Sequence, residues 1–509
     1  MKTKTPKLIP ILSILTFAIT AAAYLVFGKE GIFYALDPDI VYFTNALSWI
    51  KAHQIHYIDH PGTPSIFLLS QGLIPLRLYV KLLTQQSFLS WVIENFSFMF
   101  IYARLFNSLI LSLATYFFLK SVHISTKSHL ITLLTWLVIS TFSPFFFLGS
   151  TISPEATSFL IVSIWIFQYS LFEKYPHGLR LLLLSLTAGL AIANKFSNLF
   201  IAPITLALVF QFYSSQKHKK IKFAITNSIV ICSGFILGTW PIRSRYPQIL
   251  SWVGRLATSS GIHGSGSKSI FNLNSYLQSF GSFINLEKNL VIALLLIMFI
   301  LLIGLISRIS HFTKQRSALL LGAGLGFLVF AKYPLSHYQL ANLSIIIFIL
   351  LGSLPRRKLF TLVLILLLIP GFIKNLTRYQ SLISSAALKT VSLERYIDSH
   401  PSKQATAWEW GRSHDFALLW GRAWSGGVYD QELTMQVPDL FELKTGFKYI
   451  NTSYHDRLPV FDVCWDQLYI QEVSAKDFLK LHSDRSLTFT AIEGTGNMGV
   501  VNSNHCLDK

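Results

Sequence analysis

Charged residues make up only 13% of this 509-residue chain, against roughly 25% in soluble domains. That shortage excludes an ordinary water-soluble fold, because 52% of the residues are hydrophobic, 14% are aromatic and the mean hydropathy is +0.49. Acids are the scarcer charge, 24 against 43 bases, for a net charge of +19. The excess does not point to nucleic acid. The bases sit in short segments between apolar runs, as orientation signals of membrane proteins do. Three cysteines exclude a disulfide framework. Cys232 lies in an apolar run, while Cys464 and Cys506 share a polar C-terminal region and would be able to pair in an oxidising compartment. No internal repeat is evident, and charges sit at the ends of apolar runs, whereas transporters commonly show repeats and mid-membrane ionisable groups.

What is present is a series of apolar runs. Leu8 to Phe27 follows three lysines and is long enough to cross ~30 Å of hydrocarbon. It reads as a retained span, although Ala21-Ala22-Ala23 resembles a cleavage site. Phe67 to Leu83, broken by Gln71, Pro75 and Arg77, reads as a helix lying at the interface. Further spans are expected near 95–119, 130–148, 156–172, 179–193, 196–212, 223–240, 289–306, 318–330, 338–354 and 359–373. The expected fold is thus an all-α polytopic membrane protein of about eleven transmembrane helices. Interfacial helices occupy its first outer loop, and a small α/β extracytoplasmic domain closes the C-terminus. The expected domains are a membrane domain over 1–375, with outer loops at 28–95 and 241–288, and a soluble domain over 376–509. The Gly- and Ser-rich middle of the 241–288 loop reads as mobile. In the C-terminal domain, Ser392 to Ser399 and Ser474 to Leu481 read as helices, the second opened by a capping-box-like Ser474 and Asp477. Phe447 to Thr452 and Leu468 to Gln471 read as strands. Asn375-Leu-Thr and Asn451-Thr-Ser are glycosylation sequons.

Basic residues set the orientation. Lys2, Lys4 and Lys7 precede the first span; Lys217, Lys219, Lys220 and Lys222 precede the seventh; Arg356, Arg357 and Lys358 precede the eleventh. The short loops of opposite parity hold single lysines, Lys195 and Lys332. The N-terminus is therefore expected inside, and the C-terminal domain outside, a bacterial or archaeal cell membrane.

The polar groups expected at the outer face then form a set. Asp37 and Asp39 follow the first span, with His53, His56 and His60 leading to the rigid turn His60-Pro61-Gly62-Thr63-Pro64. Arg104, Glu155, Lys195, Arg243, Arg245, Lys332, His337 and Tyr338 join them from other segments. Ionisable groups at span ends are costly unless paired, hydrated or used. The acids suit activation of a hydroxyl or a hold on a divalent cation; the bases suit an anionic group at headgroup level. Plainer readings exist for each: a solvated Asp37 loop, snorkelling Lys195 and Lys332, a structural Arg104 and interfacial His53 and His56.

The order of these motifs resembles the GT-C class of polytopic, lipid-phosphate-sugar-dependent glycosyltransferases, in the branch of family 39, protein O-mannosyltransferases and aminoarabinose transferases. The resemblance rests on Asp37 and Asp39 followed by Tyr42, Ala46 and Leu47; His60-Pro61-Gly62; Arg104-Leu-Phe-Asn-Ser108; Ser143-Pro144; Pro154-Glu155; the stretch GLAIANKFSNLFIAP holding Lys195; and Lys332 with His337-Tyr338. It covers about residues 8 to 375. The chain departs from the family at Gly62-Thr63, where a second proline and an apolar residue are common, and at Asp39, where a Glu directly follows the first Asp in many members.

The resemblance implies inverting transfer from a polyprenyl-phosphate sugar to an acceptor hydroxyl of a glycan, lipid or protein. Asp37 would be the general base, with Asp39, His60 and Glu155 as catalytic partners. Lys195, Arg243, Lys332, His337 and Tyr338 would hold the donor phosphate, and Arg104 would support the site. A Mg²⁺ or Mn²⁺ ion on Asp37, Asp39 and Glu155 is a further expectation. The other open readings are a transporter or flippase of lipid-linked sugars without catalysis, and a non-catalytic scaffold.

Overall fold

The computed structural model describes residues 7–29, 39–58, 62–214, 217–259, 272–306, 314–328, 335–354 and 358–400, together with the tail segments 405–407, 417–418, 421, 425–427, 431, 467–481, 483 and 486–503. Among them, six helices are long and apolar enough to cross a membrane. A seventh counts if Leu273–Leu286 and Lys288–Leu302, bent by 91° at their junction, form one span. Four of the expected eleven spans are shorter apolar helices instead: His129–Ser140, Gly178–Asn194, Phe196–Phe212 and Ser336–Gly352. The stretch read as interfacial is a 21-residue helix, Thr63–Leu83, that meets the length and hydropathy of a crossing helix. Its leucines and isoleucines outweigh Gln71, Pro75 and Arg77.

The chain divides into two compact units. The first comprises Met1–Ala22, Tyr57–Leu68 and Arg104–Tyr379; the second comprises Ala23–His56, Leu69–Ala103 and Gln380–Lys509.

In the first unit the order is α1 (Leu8–Ala23), the start of α3 (Thr63–Leu83), most of α5 (Phe96–Thr126), α6 (His129–Ser140), α7 (Phe145–Ser150), α8 (Pro154–Lys174), α9 (Gly178–Asn194), α10 (Ile201–Phe212), α11 (Lys217–Thr239), α12 (Tyr246–Thr258), α13 (Leu273–Leu286), α14 (Lys288–Ile306), α15 (Lys314–Gly326), α16 (Leu340–Gly352) and the first half of α17 (Lys358–Ser399). Helices α12 and α13 occupy much of the expected 241–288 loop; its Gly- and Ser-rich middle lies outside the described residues from 260 onward. The core centres on α16, all of whose residues are buried, against α8. Trp165 and Tyr169 stack at 6.0 Å on α8, and Trp165 Nε1 donates to Thr205 Oγ1 at 3.2 Å. Helices α9 and α11 approach so closely that a Cβ on Gly189 would lie 2.1 Å from the Ile231 carbonyl oxygen. Only glycine permits that contact, since any side chain would overlap backbone.

The third expected span breaks between α6 and α7. Pro144 stops the ladder, and side chains satisfy the freed backbone groups, as a water-poor environment requires. Glu287, at the α13–α14 corner, accepts from Ser143 N at 2.9 Å and from the Ser143 hydroxyl. Asn375 Nδ2 donates to the carbonyls of Ser140 at 2.7 Å and Phe142 at 2.9 Å. Asn375 is 5% exposed, so this sequon is structural. Asn451, Cys464, Cys506 and the strand expected at 447–452 lie outside the described residues.

In the second unit, α2 (Asp39–Ala52) carries the expected apolar set Ile40, Phe43, Leu47 and Ile50, but Thr44, Asn45 and Ser48 are buried as well. It is enclosed rather than half-wet. Phe43 meets Phe96 and Phe100 edge-on at 5.9 and 5.7 Å. The short helix α4 (Phe88–Glu94) precedes α5, capped by Ser87. Farther on, β1 (Ala405–Ala407), β2 (Gln467–Gln471), β3 (Leu487–Ala491) and β4 (Met498–Ser503) form a sheet of order β1-β2-β4-β3. The β1–β2 pair is parallel and the other pairs are antiparallel. The alternation of β2 sends Leu468 and Ile470 toward α18 (Glu472–Leu481) and Tyr469 toward Leu393 on α17. Helix α18 begins two residues before Ser474, so that serine is not its cap. Helix α17 runs unbroken through the expected domain boundary at 375 despite Pro370.

Candidate functional site

Three chain breaks in the first unit deliver polar side chains to one buried place. Glu155 occupies the first turn of α8, directly after Pro154, whose missing N–H is harmless at a helix start. The helix N-terminus favours a carboxylate there. Lys195 follows the last residue of α9 in extended conformation (φ −157°, ψ 129°), before a 3₁₀ turn over Phe196–Phe200. His337 and Tyr338 lie in a second 3₁₀ turn, Ser336–Gln339, that feeds α16.

The groups meet. Lys195 Nζ forms an ion pair with Glu155 Oε1, both residues nearly inaccessible. The ammonium also lies 3.8 Å from the centre of the Tyr338 ring, a cation–π contact. His337 packs on Tyr338 at 4.2 Å, and its Nε2 is 3.8 Å from Glu155 Oε1. Glu155 Oε2 and both His337 ring nitrogens have no hydrogen-bond partner among the described residues. A buried polar atom left this way costs roughly 1–3 kcal/mol, so the cluster holds unused donor and acceptor capacity.

Asn194 locks the geometry. Its Nδ2 donates to the Pro154 carbonyl at 2.9 Å and to Ser158 Oγ at 2.8 Å, tying the end of α9 to the start of α8. Its Oδ1 accepts from Ser65 N at 3.1 Å and Ser65 Oγ at 2.6 Å, and its carbonyl accepts from Gly62 N at 3.1 Å. Asn198 Nδ2 adds bonds to Ser158 Oγ at 3.2 Å and the Ala191 carbonyl at 2.9 Å. Gly62 has φ +57°. Proline cannot adopt that angle and has no N–H to give Asn194, which explains the glycine at this point of the turn.

Of the residues singled out in the sequence, Glu155, Lys195, His337 and Tyr338 come together. Asp37, His60 and Lys332 lie outside the described residues. Asp39 is buried in the first turn of α2, in the second unit. Arg104 is fully buried on α5. One turn on, Asn107 Nδ2 donates to the Leu148 carbonyl at 2.9 Å and Ser108 Oγ to the Gly149 carbonyl at 2.8 Å. Arg243 is exposed outside the cluster, its guanidinium 4.6 Å from the Trp240 ring centre and its Nη1 3.2 Å from the Trp240 carbonyl. No group of three or more His, Cys, Asp or Glu residues placed to hold a metal occurs among the described residues. The sequence motifs do not single out Asn194, Asn198, Ser158 or Glu287, and they mark Asn375 only as a sequon. Two asparagines flanking a lysine at the junction of apolar runs were the available signal.

No family model matches the sequence, and no curated protein matches it by sequence. Solved structures do match by fold. The crystal structure of ArnT from Cupriavidus metallidurans bound to undecaprenyl phosphate superimposes with a TM-score of 0.56 at 9% identity, over 96% of this chain and 98% of that one. The same protein in the apo state gives 0.53 at 11% identity, over 96% and 97%. The chain therefore has the GT-C fold, and it is an integral membrane protein.

Proposed function

We propose that the chain is a membrane glycosyltransferase that moves a sugar from a polyprenyl-phosphate-linked donor to an acceptor hydroxyl, on the extracytoplasmic face and with inversion. The observation that carries this reading is the buried Glu155–Lys195–His337–Tyr338 cluster, set in a fold shared with a protein crystallised with undecaprenyl phosphate. A carboxylate, an ammonium and an imidazole assembled at helix breaks suit a reaction that deprotonates an alcohol and releases a phosphate.

In the reaction, Asp37 takes the acceptor proton as the hydroxyl oxygen attacks the anomeric carbon. The bond from that carbon to the phosphate oxygen breaks, and its electron pair leaves on the polyprenyl phosphate. Lys195, backed by His337 and Tyr338, offsets the charge that develops there; Arg243 and Lys332 are the further bases assigned to that phosphate. Pairing with Glu155 keeps the Lys195 ammonium in place before the donor arrives. Glu155 Oε2, with His60, orients the acceptor. A divalent ion is the alternative use of Asp37 and Asp39, since Glu155 already has Lys195 as its counter-ion.

The test is sugar transfer from a synthetic polyprenyl-phosphate sugar by purified protein in detergent. Asp37→Asn should fold and insert, keep donor binding, and lose about two orders of magnitude in rate, the usual size of general-base help. Near wild-type turnover would remove Asp37 as the base. Movement of a lipid-linked sugar across vesicles, with no transfer by the wild type, would replace the enzyme with a flippase.

A further inference from the structure

Helix α11 has two working faces. One packs on α9 through Gly189 and Gly234. The other forms an open groove of about 540 Å³ with Leu206 and Phe210 of α10, within the roughly 300–1,000 Å³ of ligand-sized clefts. Ile225, Ser228, Cys232 and Ile236 line its α11 side. They recur at helical spacing, and the small Ser228 and Cys232 form the floor of a furrow between exposed isoleucines: Ile225 is 56% and Ile229 60% exposed. From Ile221 to Ile236 the furrow runs about 22 Å by helical rise. That exceeds half of the ~30 Å hydrocarbon core, the depth one acyl chain reaches from its headgroup.

Charge distinguishes the two ends. The Ile221 end lies inside Lys217-His-Lys-Lys-Ile-Lys222, with no acid in the first turn of α11; Lys222 is exposed and Lys220 half-buried. The far end, past Ile236, meets Ala193 and Pro64 at Gly238 and is followed by two bases, Arg243 and Arg245, against four lysines in the six residues that open α11.

We propose that this furrow seats one acyl chain of an anionic glycerophospholipid, with its headgroup held by Lys220 and Lys222 at the basic end of α11. A second copy of the chain fits the furrow poorly. Copies related by an axis along the membrane normal bring the same end of each α11 together, and so set lysine run against lysine run. A zwitterionic lipid would leave those lysines without net counter-charge. The donor lipid is also the weaker occupant on the reading given above, because its phosphate is assigned to Lys195, after α9, and to Arg243, past the other end of α11, and not to the basic run that opens α11.

The experiment uses the full chain with Cys464→Ala and Cys506→Ala, so that the exposed Cys232 is the single thiol. The protein is placed in nanodiscs of phosphatidylcholine alone or mixed with phosphatidylglycerol, and the rate of alkylation of Cys232 by an apolar maleimide is followed. Phosphatidylglycerol should slow alkylation roughly tenfold or more, as several lysine contacts near a membrane surface would produce. Replacing Lys217, Lys219, Lys220 and Lys222 by Gln should restore the fast rate, and native mass spectrometry should find phosphatidylglycerol retained by the parent and lost from the lysine-free variant. Ser228→Trp, which fills the furrow, should also lose the retained lipid while keeping the parent's thermal unfolding temperature. Equal alkylation rates in both lipids, or protection that survives removal of the lysines, would overturn the proposal. So would protection by polyprenyl phosphate without protection by phosphatidylglycerol, or an oxidised dimer joined through Cys232.

Discussion

Glu155 and Glu173 stand at opposite ends of α8, roughly 27 Å apart by helical rise, and each carboxylate is bound by a cation from a different segment. Lys195 holds Glu155; Arg316 holds Glu173 through two parallel bonds, Nε to Oε1 and Nη2 to Oε2, both 2.9 Å. The two pairs are not equivalent. Arg316 also donates to the Gly352 carbonyl and to Ser353 Oγ, at 3.1 Å from the latter, whereas at the Glu155 end a carboxylate oxygen and the neighbouring imidazole have no hydrogen-bond partner among the described residues. Satisfied groups fasten a structure. Unsatisfied ones, buried at a cost, are what a ligand-ready site retains.

Lys195→Met should strip Glu155 of its buried partner and destabilise the protein by about 3–5 kcal/mol, the usual cost of a lone buried charge. Adding Glu155→Gln should recover much of that loss, because the neutral pair no longer needs compensation. Thermal unfolding in detergent, arranged as a double-mutant cycle, measures both. Additive effects of the two changes would show that the pair is not coupled.

Arg316→Ala should lower stability by a similar amount, about 3 kcal/mol or more. Transfer per folded molecule should stay near wild type, since the pair lies at the other end of α8 from the cluster. Activity normalised to the folded fraction checks this. A large fall in normalised turnover would place Arg316 in the working machinery.

At Gly62 the expected order is Gly, then Ala, then Pro. Alanine meets the left-handed φ with a penalty of about 1–2 kcal/mol. Proline is excluded by that φ and also loses the bond to the Asn194 carbonyl. Unfolding temperatures of the three proteins test the order, and a Gly62→Pro variant as stable as the parent would contradict the turn described here.

Asn375 should remain unglycosylated in a host that modifies sequons, because its side-chain nitrogen is committed to the Ser140 and Phe142 carbonyls and is buried. Peptide mass mapping reads this directly. Asn375→Ala, which orphans two buried carbonyls, should cost roughly 1–3 kcal/mol for each, and Glu287→Ala should act on the same break from the other side.

Much of the architecture was legible in the chain alone. The scarcity of charge, the length of the apolar runs and the basic segments between them pointed to a polytopic membrane protein, because a segment in hydrocarbon must be apolar and satisfy its backbone internally, as a helix does. Local motifs also placed Glu155, Lys195, His337 and Tyr338 at the ends of helices, where polar side chains are tolerated. Tertiary structure decided which of these groups meet. The sequence does not show that α9 ends in an extended residue turning Lys195 onto Glu155, or that Asn194 fastens α8, α9 and the start of α3 at once. Nor does it show that the Pro144 break is closed by Glu287 and Asn375, from far along the chain. Partners so distant in sequence leave no periodic signal. Hydropathy records how much polar surface a segment carries, and only packing determines which donor each buried acceptor finds.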